Sequence, residues 1–237
     1  IEDLAVVGLV EVLSHLRRLK ALFDSVVAEA ERLRPDVAIL IDYPDFNLRL
    51  ARKLKQLGIP VVYYVSPQLW AWRRGRIKDV QRDVAKMLVI FPFEEEIYRQ
   101  AGVPVTFVGH PLVDHVKPPT DRARVAKRLG LDPDRPVIAL LPGSRNKEVA
   151  FNLPPTLGAV KLLRAQRPQL QFVLAAAPHL RQDSFQDAAS HAVTVIEGDT
   201  QAVLSAARVA IVASGTATVE TALTRTPMVV VYRISAL

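Results

Sequence analysis

Near the amino end, apolar residues recur at three- and four-residue steps: Leu9, Val12, Leu13, Leu16, Leu19, Phe23, Val26, Val27 and Ala30. That spacing predicts one long amphipathic helix. The pattern then changes to short apolar runs separated by helical segments. Strands are predicted at 37–41, 61–65, 87–91 and 105–108, with helices at 48–57, 74–86 and 93–101 between them. Gly58 caps the first of these helices. The stretch DHVKPPTDRARVAKRLGLDPDRP is charged and proline-rich, and reads as a linker with one short entry helix. The alternation then resumes, with strands at 137–141, 171–175, 193–196, 209–212 and 228–232. The intervening helices are predicted near 153–166, 181–190, 200–206 and 216–224.

Repeated βα units with β-branched strands predict an α/β protein of parallel sheets with helices on both faces. Ligands of such sheets sit at the carboxyl ends of strands. The residues to inspect are therefore Asp42, Ser66, Phe91, Gly109, Pro142, Ala175 and Ala213.

Composition narrows the chemistry. Among 237 residues there is no cysteine, which removes disulfides and thiolate chemistry and fits a reducing compartment. The five histidines, at 15, 110, 115, 179 and 191, show no metal-ligand spacing. No G-x-G-x-x-G, G-x-x-x-x-G-K-[ST] or H-E-x-x-H motif is present. No apolar run reaches the roughly 18–20 residues of a membrane span. The net charge of +7 favours phosphorylated molecules, polyanions or anionic membrane surfaces as partners. Both ends read as cut, so the chain is expected to be a piece of a longer protein.

Two strand-to-helix turns carry small polar residues. In VASGTATVE, Ser214, Gly215, Thr216 and Thr218 suit a phosphate at a helix start, and Glu220 can accept from a ribose diol. Alternatively these residues only cap the helix. In LPGSR, Gly143 permits a tight turn beside Ser144, and Arg145 offers a planar fork for phosphate oxygens. Its alternative is a surface pair with Glu148. In IDYPDFN, Asp42 or Asp45 can act as a general base, or cap the following helix. Trp70 and Trp72 stand beside Arg73, Arg74, Arg76 and Lys78, a mixture that suits anions, sugars or a membrane interface. The helix bearing Val12, Leu13, Leu16 and Leu19 also carries Arg17, Arg18 and Lys20. It either packs on the core or faces an anionic lipid surface.

Taken together, these segments resemble the lipid-A-disaccharide synthase family of inverting glycosyltransferases. The resemblance is carried by LAVVGLVEVL, IDYPDFNLRLARKLKQLGIPVVYYVSPQLWAWRRGRIK, MLVIFPFEEEIYRQAGVPVTFVGHPLVD, LPGSRNKEV and VASGTATVETALTRTPMVVVYRIS, in the family's order. It implies two Rossmann-like domains of the GT-B glycosyltransferase type. Residues 1–114 would form the acceptor side, and 115–237 the linker and UDP-sugar side. The implied donor is UDP-2,3-diacylglucosamine and the acceptor 2,3-diacylglucosamine 1-phosphate (lipid X), giving a β-1,6 disaccharide and UDP. No cofactor, metal or nucleic acid is expected. The enzyme would be peripheral on the cytoplasmic face of the inner membrane.

On this resemblance Asp42 is the expected base, with Asp45 in reserve. Gly143, Ser144, Arg145, Ser214, Gly215, Thr216, Thr218 and Glu220 hold the UDP. Gly109, His110, Trp72 and Arg73 line the cleft and acceptor site, and Val12, Leu13, Leu16 and Leu19 face the membrane. The family's GExSGD loop has no counterpart before Ile1, and the region after VVVYRIS is missing. Both domains are thus expected to be incomplete, and the fragment itself inactive. A UDP-sugar 2-epimerase of the same fold, a nucleic-acid-binding module and a serine hydrolase using Ser214 are the competing readings. The last lacks a G-x-S-x-G elbow.

Overall fold

The order of strands in the two sheets decides where a ligand can sit. The computed structural model describes residues 2–70, 73–116, 121–180 and 182–233. The chain divides into two units, Ile1–His110 and Pro111–Leu237.

The first unit opens with helix α1 (Glu2–Leu33) and continues through β1 (Ala38–Ile41), α2 (Pro44–Gln56), β2 (Val61–Tyr64), a 3-10 turn (Arg74–Arg76), α3 (Ile77–Asp83), β3 (Lys86–Val89), α4 (Pro92–Gln100) and β4 (Val105–Phe107). The strands are parallel in the order β1-β2-β3-β4. Right-handed crossovers between strands laid down sequentially put every connecting helix on one side. Accordingly Leu40, Val61, Tyr63, Met87 and Val89 bury one face against Leu54, Val80 and Tyr98 of α2, α3 and α4. Phe23, Val26, Val27 and Ala30 of α1 pack on the same cluster. On the opposite face Ile39 and Ile41 are 63% and 59% exposed. The expectation of helices on both faces therefore does not hold for the described part of this unit.

The second unit comprises α5 (Leu112–His115), α6 (Arg122–Arg128), β5 (Val137–Leu141), α7 (Asn146–Gln166), β6 (Gln171–Ala176), a 3-10 turn (Gln182–Phe185), α8 (Gln186–Ser190), β7 (Thr194–Glu197), α9 (Thr200–Ala206), β8 (Val209–Ala213), α10 (Thr216–Leu223) and β9 (Met228–Val231). Its parallel strands run β7-β6-β5-β8-β9. Here both faces are covered. Val137, Ala139 and Leu141 bury one side of β5 with α6 and α9, while Leu140 buries the other with α7 and α8. The order reverses direction at β5. β8 is its neighbour on the side away from β6, with Leu141 opposite Val212. Helix α5 packs against α10, which places residues 111–114 with the second unit rather than the first.

Two helices differ from their predicted spans. Helix α7 begins at Asn146, not near 153, because it continues through Pro154 and Pro155. An interior proline costs about 3 kcal/mol, so the sequence pattern places the start at the pair, where prolines are tolerated in the first turn. The predicted helix at 74–86 is a 3-10 turn followed by a helix ending at Asp83, because the chain turns extended at Val84 to enter β3. Among the described residues, no helix is long and apolar enough to cross a membrane.

Candidate active site

In the first unit the carboxyl ends of the strands gather unusual backbone and aromatic groups. Asp42 and Tyr43 follow β1 with φ of 49° and 45°, a left-handed conformation that aspartate tolerates better than most residues. The Asp42 carbonyl accepts from the Tyr63 hydroxyl at 2.7 Å and from Asn47 Nδ2 at 2.7 Å. Asn47 Nδ2 also donates to the Ile41 carbonyl at 3.0 Å. Burial, and secondarily the Asp42 charge, push the Tyr63 pKa upward, so that hydroxyl stays a donor. The main chain at Asp42 is thus clamped, while its exposed carboxylate accepts no hydrogen bond from a described residue.

Asp45 is different. It sits in the first turn of α2, whose N-cap is Tyr43 with no side-chain cap. Neither aspartate caps the helix. Asp45 Oδ1 instead pairs with Arg73 at 3.0 Å and with Arg76. The Arg76 hydrogen bond, aided by the Arg73 charge, holds its pKa below the usual carboxylate value. Of the two candidates, Asp45 is an ion-paired strut for the basic segment, and the Asp42 carboxylate has no hydrogen-bond or ion-pair partner among the described residues.

The ends of β2, β3 and β4 carry an aromatic group. Trp70 meets Phe93 edge-on at 5.3 Å, Phe93 stacks with Phe91 at 5.6 Å, and Phe91 lies 5.5 Å from the His110 ring. Gly109, just before His110, has a φ of 83°. Trp70 and Phe93 are exposed. Beneath them, buried Ser66 donates to Glu94 Oε1 at 2.6 Å, and Glu94 Oε2 accepts from the Phe91 amide at 3.2 Å. Val65, with φ 63°, is a β-branched residue in left-handed space, which costs about 1–3 kcal/mol. Trp72 and the side chains of Val12, Leu13 and Leu16 lie outside the described residues. Leu19 is half-buried on α1 between exposed Arg18 and Lys20.

In the second unit both small-residue turns lie where the strand order reverses. The Pro142–Arg145 turn leaves β5 and the Ser214–Gly215 turn leaves β8, on neighbouring strands about 4.8 Å apart. α7 and α10 then depart to opposite faces, the topology at which wound sheets receive ligands. At Gly143, φ is 139° and an added Cβ would lie 2.5 Å from Glu148 Cβ, so only glycine fits. Glu148 Oε2 accepts from the Ser144 amide at 3.0 Å, and Oε1 from Arg145 Nη1 at 2.7 Å. Although burial opposes it, these donors keep the Glu148 pKa low. His179 Nε2 donates to the Ser144 carbonyl at 2.7 Å, bracing the turn from the β6 loop. Arg145 therefore does pair with Glu148, yet its side chain remains 80% exposed.

At the second turn Gly215, with φ 153°, is the N-cap of α10. The Thr218 hydroxyl donates to the Gly215 carbonyl at 2.6 Å. The hydroxyls of exposed Ser214 and Thr216 have no partner among the described residues, while the Thr218 amide donates back to the Gly215 carbonyl at 3.0 Å. Glu148 already occupies the Ser144 amide, so the Ser214 and Thr216 hydroxyls are the donors left open at these two turns among the described residues. Glu220 lies in the second turn of α10. It is half-buried, and desolvation raises its pKa.

Sequence reasoning missed the Tyr63–Asn47 clamp, Val65 and the Ser66–Glu94 pair. It weighed Glu148 only as a surface partner. The Glu three residues after the N-cap was the available signal for its grip on the turn.

The two wound units, each with its turns at the carboxyl ends of parallel strands, define a Rossmann-like pair of the GT-B class. A UDP-GlcNAc 2-epimerase from Neisseria meningitidis bound to UDP-GlcNAc superposes with a TM-score of 0.63 at 16% identity, over 90% of this chain and 63% of that one. That likeness concerns the fold. The family is given by sequence: the Lipid-A-disaccharide synthetase family profile matches residues 1–237, and the chain belongs to that family. It is 47% identical to the lipid-A-disaccharide synthase of Myxococcus xanthus, over 98% of this chain and 62% of that protein. It is 49% identical to that of Koribacter versatilis, over 100% of this chain and 62% of that protein. The chain thus spans a little under two thirds of these relatives.

Proposed function

We propose that the protein transfers 2,3-diacylglucosamine from UDP-2,3-diacylglucosamine to the 6-hydroxyl of lipid X, with inversion, giving a β-1,6 disaccharide and UDP. The observation that carries this reading is membership of the family along the whole of residues 1–237. The geometry supports a role for each unit. In the first, Asp42 is the general base: its backbone is fixed by Tyr63 and Asn47, and its carboxylate is free to accept the acceptor's proton. In the second, Arg145, Ser214, Thr216 and the α10 amides receive the diphosphate, on which negative charge builds as the glycosidic bond breaks. Glu220 holds the ribose. With charge met by guanidinium and amides, the transfer is proposed to need no metal or cofactor.

The acceptor lies beside the aromatic ends of β2–β4, which carry Trp70, Phe93, Gly109 and His110, with Arg73 held by Asp45 in the following basic segment. These exposed aromatic and basic groups, with those of α1, support peripheral binding to an anionic membrane on the cytoplasmic face of the inner membrane. The test is UDP release by the full-length protein from the acylated nucleotide sugar, with and without lipid X. Release that depends on lipid X supports the reading. Release indifferent to it, or conversion at C2 with UDP retained, overturns it and favours the epimerase.

A further inference from the structure

The charge around the two turns of the second unit does not yet suit a diphosphate. Arg145 is matched by Glu148, and Glu220 lies close behind the α10 turn. A ligand carrying two or more negative charges calls for another cation.

The path of the chain after β9 supplies one. β9 pairs with β8, placing Val231 opposite Ala213, and the Ser214 amide donates to the Val231 carbonyl at 3.0 Å. Continuing that register brings Arg233 level with the Ser214–Gly215 turn, one strand spacing of about 4.8 Å away. An edge strand's exit would ordinarily fray, yet this one is anchored. The Arg233 amide donates to Asn152 Oδ1 at 2.8 Å, a link across 81 positions.

Asn152 is 2% exposed and sits on α7 one turn beyond Glu148, with Nδ2 donating to the Glu148 carbonyl at 2.9 Å. The Thr156 hydroxyl closes on the Asn152 carbonyl at 2.7 Å, in the stretch of α7 that carries Pro154 and Pro155. A buried amide needs both of its ends satisfied. Here one end holds the helix that starts at the Arg145 turn, and the other holds the backbone of Arg233. The Arg233 side chain is exposed and has no acidic partner among the described residues.

From these observations we infer that Arg233 is a further phosphate-binding residue of the donor site, positioned by Asn152 opposite Arg145 across the Ser214–Thr216 turn. This rests on the proposed donor site and adds a residue to it. The test compares UDP and uridine binding by calorimetry in the full-length protein and its Arg233→Ala, Arg233→Lys and Arg145→Ala variants. Arg233→Ala is expected to weaken UDP about tenfold or more while leaving uridine unchanged, as loss of one charge-assisted contact requires. Arg233→Lys should recover part of that loss. The inference is overturned if Arg233→Ala binds UDP as the parent does, or loses UDP and uridine equally. If Arg145→Ala alone weakens UDP, the donor site stands and Arg233 is excluded from it. If the parent protein binds no UDP, the donor site and the inference fall together.

Discussion

Replacing Asp42 by Asn separates chemistry from structure at the proposed base. Tyr63 and Asn47 grip the Asp42 carbonyl, not its carboxylate. Asn tolerates left-handed φ about as well as Asp, so stability should change by no more than about 0.5 kcal/mol. Removing a general base typically costs 10²–10⁴ in rate, or about 2.7–5.5 kcal/mol of transition-state stabilisation. UDP affinity should be unchanged, because the proposed diphosphate ligands belong to the second unit. Asp45→Asn is the matched control. It removes exposed pairs to Arg73 and Arg76, each worth about 0–1 kcal/mol, and should lower kcat by less than about tenfold. The assay is acceptor-dependent UDP release by full-length protein at saturating substrates, with UDP titration alongside. If Asp42→Asn keeps kcat within about threefold of the parent while Asp45→Asn loses a hundredfold, the assignment is wrong.

Three further outcomes follow from the geometry. Gly143→Ala forces a Cβ to 2.5 Å from Glu148 Cβ, and should cost about 1–3 kcal/mol in denaturant unfolding while weakening UDP binding. Glu94→Ala strands the buried Ser66 hydroxyl and the Phe91 amide, and should destabilise by about 2–4 kcal/mol in the same measurement. Glu220 binds its proton more tightly when folded than the ordinary 4.5, so its contribution to stability declines as pH rises from about 4.5 through its folded pKa. Glu220→Gln should therefore match or exceed the parent's Tm at pH 7.5, with the difference closing in acid, while binding UDP more weakly; a lower Tm at pH 7.5 would contradict the desolvation.

Much of the fold could be read because its signals are local. Alternating apolar runs located the strands, and both candidate turns stood out as small polar residues directly after buried strands. What could not be read is long-range. Only the pairing of β5 with β8 brings the turns of Arg145 and Ser214 to the ends of neighbouring strands, and strand order has no local signature. The same holds for the Asp42 clamp, whose Tyr63 lies 21 positions away, and for Asn152, 81 positions from Arg233. Pro154 and Pro155 gave a misleading local signal, because the helix begins at Asn146 and runs on through both. The carboxylate of Asp42 and the paired one of Asp45 became distinguishable only once Arg73 and Arg76 were located.

The central claim is an inverting displacement in which a sugar leaves its diphosphate for the acceptor's 6-hydroxyl. It is tested most directly by quantifying UDP and determining the product's anomeric linkage by NMR, using the α-linked acylated donor with lipid X or its 6-deoxy analogue. The account predicts one UDP per β-1,6 disaccharide with lipid X, and neither product with the 6-deoxy analogue. An α-linked product, or UDP released equally with the analogue, would contradict it.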